Sequence, residues 1–328
     1  MTDVTVNSIF AINSILDRVE PLAREIPGVI AGLDPECLHR MRVASRRLRT
    51  ALRLQAAHAG MADARSFFRL IRSVTRTLGE ARDLDVQIEW LKEFLGRCQT
   101  RERSGVNRLM LRLSQARGEL QPRIIRVISN ITPDPAFRDA MDRLRAARFD
   151  AEMSGAVTAD ADIQYATRVI GLQLDSVIQH STSLLSRDAH EAHHRMRIEV
   201  KRLRYAMEIF RGVYGDKDID GSLDEYAAIV KQLQALLGDL HDADVWVARI
   251  PVLSEAETER TEIYFGTPRP FSRLSPGYDA IANDRSAFRE EQFEKTLDFW
   301  NAATKAGHWR SFRELLLRAY RGRINPVG

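Results

Sequence analysis

A phrase of sixteen residues occurs twice in this chain, and each copy begins with a histidine followed by cations at helical spacing. The first copy is HRMRVASRRLRTALRL (39–54) and the second is HRMRIEVKRLRYAMEI (194–209). Eight of the sixteen positions are identical at an offset of 155 residues. Imidazole and guanidinium groups repeated along a helix bind anions. The phrase therefore predicts a partner with many closely spaced negative charges.

The cations of each copy share one strip of helix surface. At about 100° per residue the first strip is roughly 80° wide, and it lies beside an apolar stripe that must pack. The members of the first strip are His39, Arg42, Arg46, Arg49 and Arg53. The members of the second strip are His194, Arg197, Lys201 and Arg204. The second strip is shorter and less positive because Glu208 stands at the position of Arg53.

Four other cations of the phrase, Arg40, Arg47, Arg195 and Arg202, project roughly 80–100° away from the histidine. We expect these four to be solvated or paired with acids. The strip cations are neighbours of one sign at i, i+3 and i, i+4 spacing, which destabilises a helix. Residues 37–62 contain no Asp or Glu that could relieve this repulsion. Repulsion that is kept in both copies favours an anion-binding role over a merely solvated helix face.

Length and composition restrict the class of protein. The chain has 328 residues, which is enough for one large or two medium globular domains. Its net charge of +4 is small for a general nucleic-acid coat, so we expect the positive charge to form a localised site. Cys37 and Cys98 are too few for a disulfide framework or a Cys-rich metal site. The N-terminus lacks a basic signal-peptide region and no apolar run reaches about 18 residues, which favours a cytoplasmic protein without a membrane partner.

Nearly every segment follows the 3.6-residue period of an amphipathic helix, so the sequence predicts an all-α fold. The predicted helices lie at about 4–25, 35–58, 61–79, 83–98, 102–129, 135–149, 159–184, 188–212, 220–237, 242–252 and 284–322. A second phrase is also repeated, as LGEARDLDV (78–86) and LGDLHDADV (237–245), with five of nine positions identical. Two phrases in the same order in both halves indicate internal duplication, with a bundle of about four helices in each half.

The domain organisation follows from this repetition. We predict a first helical half at residues 1–150 and a second at residues 151–328, joined by a small, polar linker at 150–160. Residues 265–283 are rich in Pro, Gly and Ser and have no counterpart in the first half. This segment is predicted to be an inserted loop of the second half.

The second repeated phrase carries a glycine and an aspartate at matching positions. Gly79 and Gly238 suit the residue after a helix end, and Asp83 and Asp242 suit the N-cap of a following helix. The sequence therefore predicts a helix break in each half. The alternative is that the aspartates orient a nearby arginine of the anion site.

The helix that leads into the first of these phrases carries another row of cations. Arg65, Arg69, Arg72 and Arg76 recur at i, i+4, i+7 and i+11, which places them on one face. Only Arg72 has a cationic counterpart in the second half, Lys231. Arg72 and Lys231 are therefore the better candidates for binding, and Arg69 and Arg76 are candidate additions for the first half only.

The two duplicated phrases together resemble the CHAD family, the conserved histidine α-helical domains, and the resemblance covers essentially the whole chain. It implies two pseudo-symmetric four-helix bundles around a central basic cavity, binding of inorganic polyphosphate, and association with polyphosphate granules. It also implies that the cavity is lined by His39, Arg42, Arg46, Arg49, His194, Arg197, Lys201 and Arg204, joined by Arg72 and Lys231. Polyphosphate has about one charge per phosphate and no bases, so a row of arginines suits it.

Nucleic-acid binding is the alternative function, because basic helices bind phosphate backbones in general. Neither strip interleaves the aromatic residues on which single-stranded bases stack. Tyr205 lies beside the second strip, but Thr50 takes its place in the first. The predicted cleft is also too enclosed for a duplex. A scaffold or granule-coat role is compatible with polyphosphate binding.

A zinc peptidase is a weaker alternative, since HEAHH (190–194) matches the H-E-x-x-H pattern. The first half has no counterpart, and the arginines that follow would repel Zn²⁺. His190 and His193 are expected to be surface residues at a helix start. The chain has no Gly-rich phosphate loop, no carboxylate cluster for Mg²⁺ and no nucleophile beside a base. We therefore expect a binding protein that is not an enzyme and needs no cofactor or metal.

Overall fold

The computed structural model describes residues 8–32, 34–61, 64–155, 158–214 and 220–321. Over these residues the chain forms α-helices and three short 3-10 helices, without a β-strand, so the predicted all-α fold is confirmed. The α-helices are α1 (Ile9–Leu16), α2 (Val19–Arg24), α3 (Ile26–Ala31), α4 (Pro35–Gln55), α5 (Arg65–Arg97), α6 (Arg103–Ser129), α7 (Pro135–Ser154), α8 (Ala159–His180), α9 (His190–Phe210), α10 (Asp220–Phe265), α11 (Ser275–Lys305) and α12 (His308–Arg321).

Helix α4 shows how the sequence positions the first cationic strip. The side chain of Asp34 caps the helix by accepting a hydrogen bond from the backbone N–H of Glu36 at 2.9 Å. Leu38, Met41 and Leu48 form the apolar stripe and are almost completely buried. Because this stripe must pack against the core, the rotation of α4 is set and the cations beside it cannot all turn to bulk solvent.

Helices α5 and α10 both run without a break through the second repeated phrase. Gly79 and Asp83 lie inside α5, and Gly238 and Asp242 lie inside α10. The prediction that a helix ends and restarts in this phrase was therefore wrong. A glycine in a helix interior costs only about 1 kcal/mol relative to alanine. Complete burial of the neighbouring Leu78 offsets that cost.

The terminal helices also differ from the prediction. The single helix expected at 4–25 is two short helices, α1 and α2, which a third short helix, α3, follows. Residues 1–7 lie outside the described residues. The helix expected at 284–322 begins earlier and is divided into α11 and α12. Gly307, which has a φ of 76°, separates them, because a left-handed residue ends α11 and glycine adopts that conformation without strain.

The segment predicted as a loop at 265–283 is largely helical. α10 extends to Phe265, a 3-10 helix covers Arg269–Arg273, and α11 begins at Ser275. The proline that follows Ser275 does not prevent this, because a helix tolerates proline in its first turn. The loop prediction was wrong in its extent, since only the turn between α10 and α11 is irregular.

The linker predicted at 150–160 is also shorter than expected. α7 continues to Ser154 and α8 begins at Ala159, so residues 150–154 are helical. Residues 156–157 lie outside the described residues. The division of the chain into two halves at this point stays a prediction.

The helices pack in the same order in both halves. α4 packs on α5 and α5 on α6, while α9 packs on α10 and α10 on α11. The contacts that join the two predicted halves include one between α4 and α9 and a larger one between α6 and α11. The main core draws residues from α1 through α12, and a smaller core at the far end of the long helices contains Leu91, Val106, Trp246 and Tyr278. The contact between α4 and α9 is the one that brings the two cationic strips together.

The contact between α6 and α11 depends on two glycines. Gly105 of α6 and Gly277 of α11 approach so closely that a Cβ atom on Gly277 would lie 2.7 Å from the Cα atom of Gly105. The same Cβ atom would lie 2.6 Å from the backbone nitrogen of Val106. Real Cβ atoms essentially never make such contacts with backbone. The two halves are therefore joined here by a backbone-to-backbone crossing that tolerates no side chain.

Candidate anion-binding site

The cationic strips of α4 and α9 lie on facing sides of the two helices. Lys201 on α9 shows this most clearly. Burial and the nearby charges of Arg197, Arg46, Arg42 and Arg49 lower its pKa to about 7, and three of these arginines belong to α4. We call the facing residues the cationic cluster; its members are Arg42, Arg46, Arg49, Arg197, Lys201 and Arg204.

Tyr205 lies in the middle of the cationic cluster and contacts cations from both helices. The guanidinium carbon of Arg46 is 5.0 Å from the centre of the Tyr205 ring, and that of Arg204 is 4.4 Å away. Tyr205 is buried, and its hydroxyl has no hydrogen-bond partner. The ring holds arginines from the two halves beside each other by cation–π attraction. Sequence reasoning noticed Tyr205 only as an aromatic residue beside one strip and missed this role.

Several members of the cationic cluster are half-buried without an acid to neutralise them. Burial is the main reason that the pKa values of Arg46 and Arg49 are lowered, and neighbouring arginines lower them further. The Nε atom of Arg46 is buried without a hydrogen-bond partner. Within the part of the chain that the structure describes, Arg46, Arg49 and Lys201 form no ion pair. Like charges held together in this way are stabilised when an anion binds between them.

The aspartates of the second phrase each approach one arginine of the cluster. The Nη2 atom of Arg42 lies 3.8 Å from Oδ1 of Asp83, and the Nη2 atom of Arg197 lies 4.0 Å from Oδ1 of Asp242. The pairing is thus the same in both halves. The first prediction, that these aspartates cap helices, was wrong. They lie beside arginines of the cationic cluster, which was the alternative interpretation.

The histidine at the head of each strip is influenced by a residue of the second phrase. The Nδ1 atoms of His194 and His241 are 3.1 Å apart. Burial, followed by the charge of Arg197, lowers the pKa of His241 to about 4. Burial also lowers the pKa of His39, and the charge of Arg82 lowers it further. Arg82 and His241 occupy the same position of the repeated phrase, which was the signal that sequence reasoning overlooked.

Two cavities extend the cationic cluster outward. Arg49, Arg53 and Arg72 line a cavity of about 210 Å³ between α4 and α5. Arg204 and Lys231 line a second cavity, of about 240 Å³, between α9 and α10, together with the acidic residues Glu208 and Asp224. The structure therefore places Arg53, Arg72 and Lys231 next to the cluster, and their role in binding stays a prediction.

The last two predicted residues lie on the exposed side of α5. Arg76 stands one turn after Arg72 and about one turn before Gly79, which faces the cluster, so its position continues the row. Arg69 donates a hydrogen bond to the Oγ atom of Ser66 at 3.1 Å. Among the described residues, no contact connects Arg69 to the cationic cluster.

Comparison with known proteins identifies the family of this chain. A family profile described as the CHAD domain matches residues 14–251, which include both copies of both repeated phrases. The chain belongs to the CHAD family. No curated protein matches this chain.

Two solved structures resemble this CHAD fold. The first is the crystal structure of the CHAD domain from the plant Ricinus communis, with 24% identity and a TM-score of 0.58 over 86% of this chain and 92% of that chain. The second is PptA from Streptomyces chartreusis, with 15% identity and a TM-score of 0.58 over 89% of this chain and 98% of that chain. At these identities the likeness shows the fold alone. Within the described ranges, no helix combines the length and the apolar character that crossing a bilayer requires.

The four cations that the sequence placed outside the CHAD site are paired with acids, as predicted. The pairs are Arg40 with Glu25 at 2.9 Å, Arg47 with Glu208 at 2.6 Å, Arg195 with Glu191 at 2.8 Å, and Arg202 with Glu199 at 2.5 Å. Glu208 also lies 3.5 Å from Arg204. The residue that replaces Arg53 in the second strip therefore links α9 to α4.

His190 and His193 of the HEAHH segment contact other residues of this CHAD domain. The Nδ1 atom of His190 is 2.7 Å from Oδ1 of Asp244. His193 is only 2% exposed, its Nε2 atom is 3.0 Å from the carbonyl oxygen of Ser183, and its ring packs on Phe293. The expectation that His193 lies at the surface was wrong, because it falls on the core-facing side of α9. The described residues contain no group of three or more His, Cys, Asp or Glu that could hold a metal ion.

Proposed function

We propose that this CHAD protein binds inorganic polyphosphate along the cationic cluster between α4 and α9. One observation carries the proposal. Burial and neighbouring cations lower the pKa values of four cluster members on two facing helices, Arg46, Arg49, Arg197 and Lys201. Of these four, Arg46, Arg49 and Lys201 have no acid partner among the described residues. A linear chain of phosphates supplies charges at short, regular spacing, and each guanidinium can bind two phosphate oxygens.

The two side cavities suggest how a longer chain continues beyond the cluster. On one side the path leads to Arg53 and Arg72, and on the other it leads to Lys231. Polyphosphate held in this way contacts both halves of the protein at once. The expected consequence is that affinity depends on chain length, because each further contact is made by a chain that is already bound.

The proposed activity is binding without hydrolysis. The carboxylates beside the cluster, Asp83 and Asp242, are directed at Arg42 and Arg197. In a cell that stores polyphosphate we expect the protein to associate with the granules, and a fluorescent fusion observed by microscopy tests that. Release of phosphate from polyphosphate in the presence of Mg²⁺, at a rate that the purified protein increases, would contradict the non-enzymatic part of the proposal.

Chain length and salt provide the first quantitative test. We expect polyphosphate of many units to bind at least roughly 100-fold more tightly than tripolyphosphate or orthophosphate, measured by calorimetry or by competition. If the six cluster cations each contact a phosphate, the slope of log K against log salt concentration is about −4, as for a single-stranded polyanion. Equal affinity for short and long chains would rule out a continuous track of cations.

A single-stranded oligonucleotide with the same number of phosphates is the matched comparator. The Tyr205 ring is buried and contacts the guanidinium groups of Arg46 and Arg204, so it is not free to stack on a base. We therefore expect the oligonucleotide to bind more weakly than polyphosphate at equal salt. Equal or tighter binding of the oligonucleotide would support nucleic-acid binding instead.

The affinity for polyphosphate is expected to fall as pH rises. In the free protein the pKa of Lys201 is lowered to about 7, and a bound polyanion raises it again, so the complex holds more protons than the free site. Lowering the pH therefore favours binding. We expect roughly tenfold weaker binding at about pH 8.5 than at about pH 6.5, at constant salt.

The substitution Lys201→Arg is the control for this pH dependence. An arginine keeps its charge throughout this range, so the variant should show a much flatter pH profile than the wild-type protein. A profile in the variant that is as steep as in the wild type would show that Lys201 is not the group that titrates. The lowered pKa values of His194 and His241 would then point to that imidazole pair.

A further inference from the structure

Lys201 is the one primary amine in the cationic cluster, whose other members are arginines. It stands at the position that Arg46 occupies in the first phrase, and it is half-buried between the two helices. Among the described residues no carboxylate pairs with it. The charged groups that act on it are cations, and Arg197 and Arg46 have the largest electrostatic effects on its pKa. A guanidinium at this place would be chemically inert at neutral pH, whereas an amine is a nucleophile.

The surroundings of Lys201 favour the neutral, nucleophilic form of the amine. Burial and the adjacent guanidinium groups disfavour an additional positive charge, and they lower the pKa of Lys201 to about 7. A much larger fraction of this amine is then unprotonated at neutral pH than of an ordinary exposed lysine, for which the fraction is less than about 0.1%. Lysines desolvated beside other cations act as nucleophiles in this way.

The same surroundings select the electrophile. Arg46 has a buried Nε atom without a hydrogen-bond partner, and Arg49 has no ion pair among the described residues. These groups bind phosphoryl oxygens. A reagent that carries both a phosphoryl group and an acyl group would be held by the arginines with its carbonyl carbon close to the amine. Acyl phosphates are the class of small metabolite with this composition.

We propose that Lys201 is a modification site at which acyl phosphates transfer their acyl group to the side-chain amine. The inference rests on the proposed function in one respect, namely that the cluster binds phosphoryl groups. The Nζ lone pair attacks the carbonyl carbon and a C–N bond forms. The bond between that carbon and the phosphate oxygen breaks, and inorganic phosphate leaves with the electron pair. The nitrogen releases one proton to water, which leaves a neutral amide.

Acylation would reduce the affinity of the cluster for polyanions. The amide cannot take up the proton that a bound polyphosphate otherwise induces at this position, and its acyl group occupies space between α4 and α9. Bound polyphosphate in turn covers Lys201 and excludes the acyl phosphate. The modification and the polyanion therefore compete for one site, which would couple polyphosphate binding to the supply of acyl phosphates.

The experiment treats the full-length protein with acetyl phosphate and follows each lysine by peptide mass spectrometry. The exposed Lys92 and Lys305 are internal controls, because they react with the same reagent in the same sample. We expect Lys201 to be acetylated on the order of tenfold faster or more. Acetylimidazole, which transfers the same acyl group without a phosphoryl group, should show a much smaller preference. Long-chain polyphosphate should protect Lys201 while leaving the modification of Lys92 unchanged.

The consequence of modification is measured by polyphosphate affinity before and after treatment. We expect treatment to weaken binding by the wild-type protein several-fold. In Lys201→Arg, treatment should cause no further change relative to the untreated variant. Acetylation of Lys201 at the rate of Lys92, or a preference that is equal for acetylimidazole, would overturn the inference. If polyphosphate binds tightly while either result is obtained, the inference fails and the proposed function stands.

Discussion

Replacing Arg46 and Lys201 together by glutamate is expected to abolish polyphosphate binding. These two residues occupy matching positions of the repeated phrase, one on each facing helix, and neither is paired with an acid among the described residues. The double substitution places two carboxylates where the phosphates would lie. We expect the dissociation constant to rise at least roughly 1,000-fold, which corresponds to about 4 kcal/mol, measured by calorimetry at constant salt.

The fold should survive this change, because the substitution relieves repulsion between like charges. The matched control is Arg143→Glu with Lys305→Glu, which changes two exposed cations on α7 and α11. Both variants lower the formal net charge from +4 to 0. The control is expected to bind within a few-fold of the wild-type protein. Normal binding by the Arg46 and Lys201 double variant, or an equal loss in the control, would show that the cluster is not the site.

The second large effect is expected on stability. Gly277→Ala should destabilise the protein by about 3 kcal/mol, measured by chemical denaturation, since the added Cβ atom meets backbone atoms of α6 that cannot move aside separately. The helices must separate to accommodate the methyl group. This weakens the packing of Tyr278, Val106 and the rest of the smaller core around the crossing.

The control for this substitution is Gly118→Ala, which lies in α6, the helix that carries Gly105. A Cβ atom at Gly118 meets nothing within 4 Å, so the intrinsic preference of a helix for alanine acts alone. We expect this variant to be as stable as the wild type or more stable by about 0.5–1 kcal/mol. A Gly277→Ala protein with unchanged stability would mean that the crossing is looser than the structure shows.

The cationic strips could be predicted from the sequence because they depend only on local periodicity. Residues three and four apart share a helix face in any α-helix, so Arg42, Arg46 and Arg49 had to lie together. The apolar stripe beside them sets which face packs on the core. The same arithmetic placed Arg47 and Arg202 outside the strips, and both are paired with acids.

The helix breaks were mispredicted because local signals can be overridden by packing. Glycine and aspartate commonly end and begin helices, yet α5 continues without a break through Gly79 and Asp83. The gain from burying one continuous apolar face exceeds the modest cost of a helical glycine. The prediction that His193 lies at the surface failed for a similar reason. It followed from the polar residue type, whereas the position of His193 on the core-facing side of α9 decides its burial.

The sequence by itself determined the helical class, the two rows of cations and the membership of the chain in the CHAD family. Each of these depends on residues close together in the chain or on a motif repeated within it. Only the tertiary structure decided that the rows face each other, that Tyr205 contacts both Arg46 and Arg204, and that His241 contacts His194. Those contacts join distant segments, and their geometry depends on how whole helices pack, which no local pattern encodes.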